Sequence, residues 1–202
     1  MRQDHSPGGG TSRSEFIRKT ALAAGIAGGG ALLAGLPRLA ASAPSQEQDV
    51  QILKLVLTLE RFEQAFYTAA LEAGSLEDEL LEYAETVAGH EREHVAFLEE
   101  ALGNQAGDPP SFDFGERAVD PERFGPTAAQ MEDLVVSAYN GQATNLTKPI
   151  LAAAARIVSV EARHAGWIRS ILGQDPAPTA TDVPRTAAQV REGLRRLGLV
   201  EG

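Results

Sequence analysis

From Val50 to about Ala73, apolar residues recur every three or four positions with no Pro or Gly between them, the spacing of one helix face. Gly74 suits the position after a helix end. Ser75 reads as an N-cap followed by Glu77, Asp78 and Glu79, acids that favour the positive helix terminus. A second helix is therefore expected from Leu76 to about Leu102, stopped by Gly103. Between Asn104 and Pro126 the periodicity gives way to Gly, Pro, Asp and Phe, which predicts a long connection. Thr127 with Gln130 forms a capping-box pattern opening a third helix to about Asn145. Thr147 and Pro149 suit the start of a fourth, which runs to Leu172 before Gly173. A Pro/Ala/Thr linker from Gln174 to Pro184 precedes one short amphipathic helix, Thr186 to Leu197, with Val190, Leu194 and Leu197 on its apolar stripe. The expectation is an all-α fold: a four-helix bundle over residues 48–173, then a linker and short C-terminal helix over 174–202.

The pattern also repeats. The run from Glu91 to Gly103 lies over Glu161 to Gly173 at an offset of 70, and both copies carry Glu-x-x-His. Leu80, Ala84, Val87, Glu91, His94, Leu98 and Leu102 fall on Ile150, Ala154, Ile157, Glu161, His164, Ile168 and Leu172. The first and third helices match more loosely at an offset of 72, where Glu60 and Tyr67 correspond to Glu132 and Tyr139. In an antiparallel hairpin, residues at one height are equally far from the turn. Glu60 and Glu91 flank the Ala73–Ser75 turn evenly, and Glu132 and Glu161 flank Leu146 and Thr147, so all four are expected at one level, about 20 Å from the hairpin ends.

Each glutamate interrupts an otherwise apolar stripe: Leu53, Val56, Leu57 and Tyr67 surround Glu60, while Ala128, Val135, Val136 and Tyr139 surround Glu132. Residues three apart share a helix face, so Glu91/His94 and Glu161/His164 each aim at one point. Four buried carboxylates in one layer are strongly unfavourable by themselves. Two divalent cations would balance them charge for charge. A lone Glu-x-x-His is usually a solvated surface pair, but two in register, each matched to an inward Glu on the preceding helix, read as metal ligands. Glu63 has Val135 as its repeat partner and reads as a boundary or supporting residue. His90 corresponds to Val160, has no Glu three residues before it, and reads as packing or support. Tyr67, Tyr139 and Trp167 are expected as core aromatics with no catalytic role.

Composition narrows the chemistry. A chain of 202 residues suits one core with appendages. The absence of cysteine excludes disulfides, thiolate zinc sites and iron–sulfur clusters, leaving oxygen and nitrogen as metal ligands. A net charge of −10 with scattered basic residues argues against a nucleic-acid partner. Residues 1–43 differ in kind: Arg2, Arg13, Arg18 and Lys19 precede an uncharged run from Ala21 to Leu36, then Pro37, Arg38 and the small residues Ala40 to Ala43. That order of basic, apolar and small residues predicts an export signal. Ser12 to Arg18 resembles a twin-arginine signal in which Ser14 replaces the second arginine, and Pro44 disfavours cleavage directly after Ala43. Removing the segment leaves 13 basic and 26 acidic residues, or −13. The expected location is the periplasm, cell envelope or exterior, with the export machinery as a partner.

A Glu from each of two helices with Glu-x-x-His from each of the other two resembles the di-iron or di-manganese pattern of ferritin-like proteins. Leu57-Thr-Leu-Glu60, Phe66-Tyr67 and Val160-Glu161-Ala-Arg-His164 resemble, more narrowly, the exported bacterial ferritin-like proteins related to desiccation-associated proteins. The resemblance covers roughly Val50 to Gly173 and implies a bundle with one long crossover between the second and third helices. It implies two iron ions, with manganese as the alternative and zinc left open by ligand type. Glu91 and Glu161 would bridge the ions, and Glu60, Glu132, His94 and His164 would be terminal ligands. The implied activity is an oxidoreductase reacting with oxygen or peroxide. A non-catalytic metal-binding or structural stress protein of the envelope is the alternative, and iron storage in a homo-oligomeric shell is a third reading.

Overall fold

The structure, a computed structural model, describes residues 43–200, and the expected export signal lies outside the described residues. Helix α1 spans Gln46–Ala73 and begins earlier than the apolar periodicity, because the Ser45 side chain accepts from the Gln48 N–H and Glu47 and Asp49 occupy the first turn. Gly74 ends it with a left-handed φ of 64°, where a side chain would be strained. Helix α2 spans Asp78–Leu102. Ser75 is not its N-cap. Glu77 takes that position without a side-chain bond, and Ser75 Oγ donates to the Val119 carbonyl at 2.6 Å. A tertiary carbonyl acceptor has won the hydroxyl away from the local backbone N–H donors.

The third helix also starts earlier than the Thr127–Gln130 pattern suggests. Helix α3 spans Pro121–Gln142, with Asp120 accepting from the Glu122 N–H and Pro121 in the first turn. Thr127 is buried inside the helix and Pro126 is tolerated there. The extra turn carries Phe124, which is fully buried and stacks on Phe66 with ring centroids 5.4 Å apart. Helix α4, Lys148–Ile171, follows Thr147 and Pro149 as expected. Helix α5, Ala187–Leu197, opens with a capping box between Thr186 and Gln189 and buries Val190, Leu194 and Leu197.

Cross-helix contacts fix the directions. Tyr67 meets Glu132 and Tyr139 meets Glu60, so α1 and α3 are antiparallel. Tyr83 meets Trp167 and His94 meets Glu161, so α2 and α4 are antiparallel. Since α1–α2 and α3–α4 are hairpins, α2 and α3 run the same way and the connection between them must travel the length of the bundle. It does so along α1. Phe112 and Phe114 meet Phe62 edge-on at 5.2 and 5.0 Å, the single helical turn Glu116–Val119 buries Ala118, and Arg61 bonds Glu99 and the Gly107 carbonyl. This is the all-α bundle with one long crossover that the resemblance implies.

The C-terminal tail lies on α3. Arg185 donates its N–H to the Ser137 carbonyl at 2.9 Å, Gly193 sits against Leu134, and a two-residue strand, β2 (Leu199–Val200), pairs antiparallel with β1 (Ser111–Phe112) of the crossover. Among the described residues, no helix is long and apolar enough to cross a membrane.

Candidate metal centre

Each half of the centre is a helical hairpin delivering Glu, Glu and His. Glu60, Glu91, Glu132 and Glu161 are fully buried, His164 is 3% exposed and His94 is partly buried. The apolar neighbours that the stripes supply are buried with them: Val56, Leu57, Val87, Ala128, Val135, Ile157 and Ile168. The ligating atoms converge in two groups, Glu60/Glu91/His94/Glu161 and Glu132/Glu161/His164. Within each group they all lie within 4.8 Å of one another. All six residues singled out by the repeat are thus brought together.

The contacts follow the internal twofold. His94 Nδ1 lies 3.2 Å from Glu60 Oε2, 3.1 Å from Glu91 Oε2 and 2.8 Å from Glu161 Oε1. His164 Nδ1 lies 3.5 Å from Glu132 Oε2, 3.3 Å from Glu91 Oε1 and 3.3 Å from Glu161 Oε2. Glu91 and Glu161 therefore each spread their two oxygens across both histidines, whereas Glu60 and Glu132 each face one.

Buried carboxylates crowded together should resist ionising, as Glu60 and Glu132 do. Burial raises Glu60 from its ordinary 4.5 to about 7, although the His94 contact pulls the other way. Burial likewise raises Glu132, against the opposing pull of His164. For the histidines burial works against the charged ring, but the surrounding carboxylates overcome it and hold both pKa values up at about 12. Protons on the two rings thus carry part of the counter-charge that the carboxylates demand.

Those protons do not satisfy the layer. Glu91 Oε1, Glu132 Oε2 and Glu161 Oε1 are buried without a hydrogen-bond partner, although each lies within 3.5 Å of a histidine nitrogen. The close approach lacks hydrogen-bond geometry and leaves lone pairs directed at shared points. Hard carboxylate oxygens with two imidazoles suit iron, manganese or zinc. The donor set fits a pair of divalent cations.

The terminal carboxylates are held from behind. Tyr139 OH donates to Glu60 Oε1 at 2.6 Å, and Tyr67 OH donates to Glu132 Oε1 at 2.5 Å, each across the α1–α3 interface. Tyr67 and Tyr139 are therefore more than core aromatics: they orient Glu132 and Glu60, as partners of metal ligands commonly do. Tyr83 OH adds a 3.1 Å bond to Glu132 Oε1. Burial pushes all three phenols well above their ordinary pKa, so they remain neutral donors. Tyr83 was missed from sequence, although its spacing of four and eight from Val87 and Glu91 puts it on their row.

His90, at the surface of α2, stacks on His164 and its Nδ1 lies 2.9 Å from His164 Nε2, the nitrogen facing away from the carboxylates. It supports a site histidine and is not one of the converging groups. Beside it a cavity of about 360 Å³, lined by His90, Glu93, His94, Arg163, His164 and Trp167, brings solvent to the histidine side of the centre. Trp167 thus lines the approach, and its ring meets Tyr83 edge-on.

The family model for the ferritin-like domain matches residues 48–174, a span that takes in the four bundle helices, α1 from its third residue, and all six converging residues. No curated protein matches the chain significantly. With the up-down-down-up bundle, the long crossover and the matched domain in agreement, the chain belongs to the ferritin-like family.

Proposed function

We propose that the protein is an exported di-metal carboxylate oxidoreductase that binds two iron ions, or manganese in their place, and reacts with oxygen or peroxide. The observation carrying this reading is the division of labour among four buried carboxylates. Two of them reach both histidines and two reach one each, the arrangement two adjacent cations require.

Glu60, Glu91, His94 and Glu161 would hold one ion, and Glu132, Glu161, His164 and Glu91 the other. Bound iron or manganese supplies a redox couple able to exchange electrons with oxygen or peroxide. The chain does the rest. Tyr139 and Tyr67 fix the orientation of Glu60 and Glu132, so that each presents its second oxygen inward. The apolar walls of α1 and α3 keep water from the back of the site, and the cavity beside His90 admits a small oxidant from the front. The export signal read in residues 1–43 belongs to the same proposal and places this chemistry outside the cytoplasm.

Loading the purified protein with Fe(II) and adding oxygen or peroxide tests it. Oxidation should run faster than in a Glu91→Ala variant whose helical content is intact, and elemental analysis should find two ions per chain. Equal rates in the two proteins would overturn the catalytic reading, and absence of bound metal would overturn the centre itself.

A further inference from the structure

The internal twofold is broken at three polar residues around the centre. Tyr83, His90 and Glu63 are polar where their repeat partners, Ala153, Val160 and Val135, are apolar. Tyr83 bonds Glu132 and His90 bonds His164. Glu63 makes no bond. It is fully buried on α1, one turn beyond Glu60 and one turn before Tyr67, and neither of its carboxylate oxygens has a hydrogen-bond partner. Burying a carboxyl group in this way is costly, and a native fold retains such a group where something else satisfies it.

We propose that Glu63 is a fifth carboxylate of the metal centre, one whose charge favours a trivalent cation over a second divalent one. The inference rests on the di-metal reading above and adds to it a residue and a charge preference. Two divalent ions already neutralise Glu60, Glu91, Glu132 and Glu161. A fifth ionised carboxylate one turn away in the same buried core calls for a fifth positive charge, and one trivalent ion beside one divalent ion provides it.

Redox-inert ions separate charge from chemistry. The full-length protein and its Glu63→Gln and Glu63→Leu variants would be titrated with Zn(II) and, separately, with Ga(III) supplied as the citrate complex, reading stoichiometry and the rise in melting temperature. Both variants should still bind two Zn(II) ions, and their loss of Ga(III) affinity should exceed their loss of Zn(II) affinity by about tenfold or more. Glu63→Leu should melt above the parent in chelator, since an unsatisfied buried carboxyl group has been removed. An unchanged ratio of Ga(III) to Zn(II) affinity in variants that still bind Zn(II) would overturn the role of Glu63 alone. Failure of the parent protein to bind either ion would overturn the di-metal reading and this inference with it.

Discussion

Tyr139 on α3 reaches across the bundle to donate a 2.6 Å hydrogen bond to Glu60 on α1, and Tyr67 on α1 returns the same bond to Glu132 on α3. Each tyrosine leaves one carboxylate oxygen free for the centre and fixes the direction in which it points. Tyr139→Phe keeps the ring and its packing but removes the donor. Metal affinity should fall by about tenfold while helical content is unchanged. Zn(II) titration followed by calorimetry reads the loss, and parental affinity would show that Glu60 needs no such restraint.

Metal must displace the protons that His94 and His164 hold up to about 12, and at neutral pH Glu60, raised to about 7, is partly protonated too. Apparent affinity should therefore rise with pH, with more than about two protons released per pair of ions near pH 7. Calorimetry in buffers of different ionisation enthalpy counts them. A pH-independent affinity would refute the assignment of both histidines.

Stability without metal should move the opposite way. Glu60 is raised in the folded state, so its contribution is complete below 4.5 and is lost as pH climbs through about 7. The histidines are raised as well, and their contribution is complete below 6.5 and lost toward about 12. In chelator the melting temperature should fall steadily from pH 5 to pH 9, whereas in excess Zn(II) it should hold or rise. Parallel curves would mean that the buried layer is not where the ions bind.

Asp49 is 5% exposed and accepts both the Thr147 N–H at 2.9 Å and the Thr147 hydroxyl at 2.5 Å, joining the start of α1 to the start of α4. Asp49→Ala leaves that helix terminus without its acceptor and should cost about 1–3 kcal/mol in urea unfolding. A loss below about 0.5 kcal/mol would show that water replaces the carboxylate.

Gly141 lies under the linker to α5, and a Cβ there would fall 1.9 Å from the Arg185 carbonyl oxygen. Helix propensity alone favours Gly141→Ala by about 1 kcal/mol, but the clash is with backbone, which cannot swing aside as a side chain can. The substitution should break the Arg185–Ser137 bond and raise hydrogen exchange across α5. Retained protection in α5 would show that the tail docks without that close approach.

The bundle and its six converging residues were legible because they sit on a periodic stripe and occur twice, so that each copy checks the other. Helix starts were less legible. Ser75 and Thr127 carry strong local capping signals, yet Ser75 bonds the Val119 carbonyl and Thr127 is drawn into a helix lengthened to bury Phe124. Both outcomes depend on partners distant in sequence. Asp49 and Tyr83 escaped for a related reason, and Glu63 was read only as a boundary or supporting residue. None of them is matched by an equivalent residue in the second copy, so repetition, the feature that exposed the six, passes over them.

Neither hairpin can complete a coordination set alone. His94 takes Glu60 and Glu91 from its own hairpin but Glu161 from the other, and His164 takes Glu132 and Glu161 from its own but Glu91 from the other. An ion held there would be a rivet between the two hairpin arms. Metal supply would govern less whether the arms form than whether they stay closed on each other, and a chain starved of metal would be one that breathes along that seam.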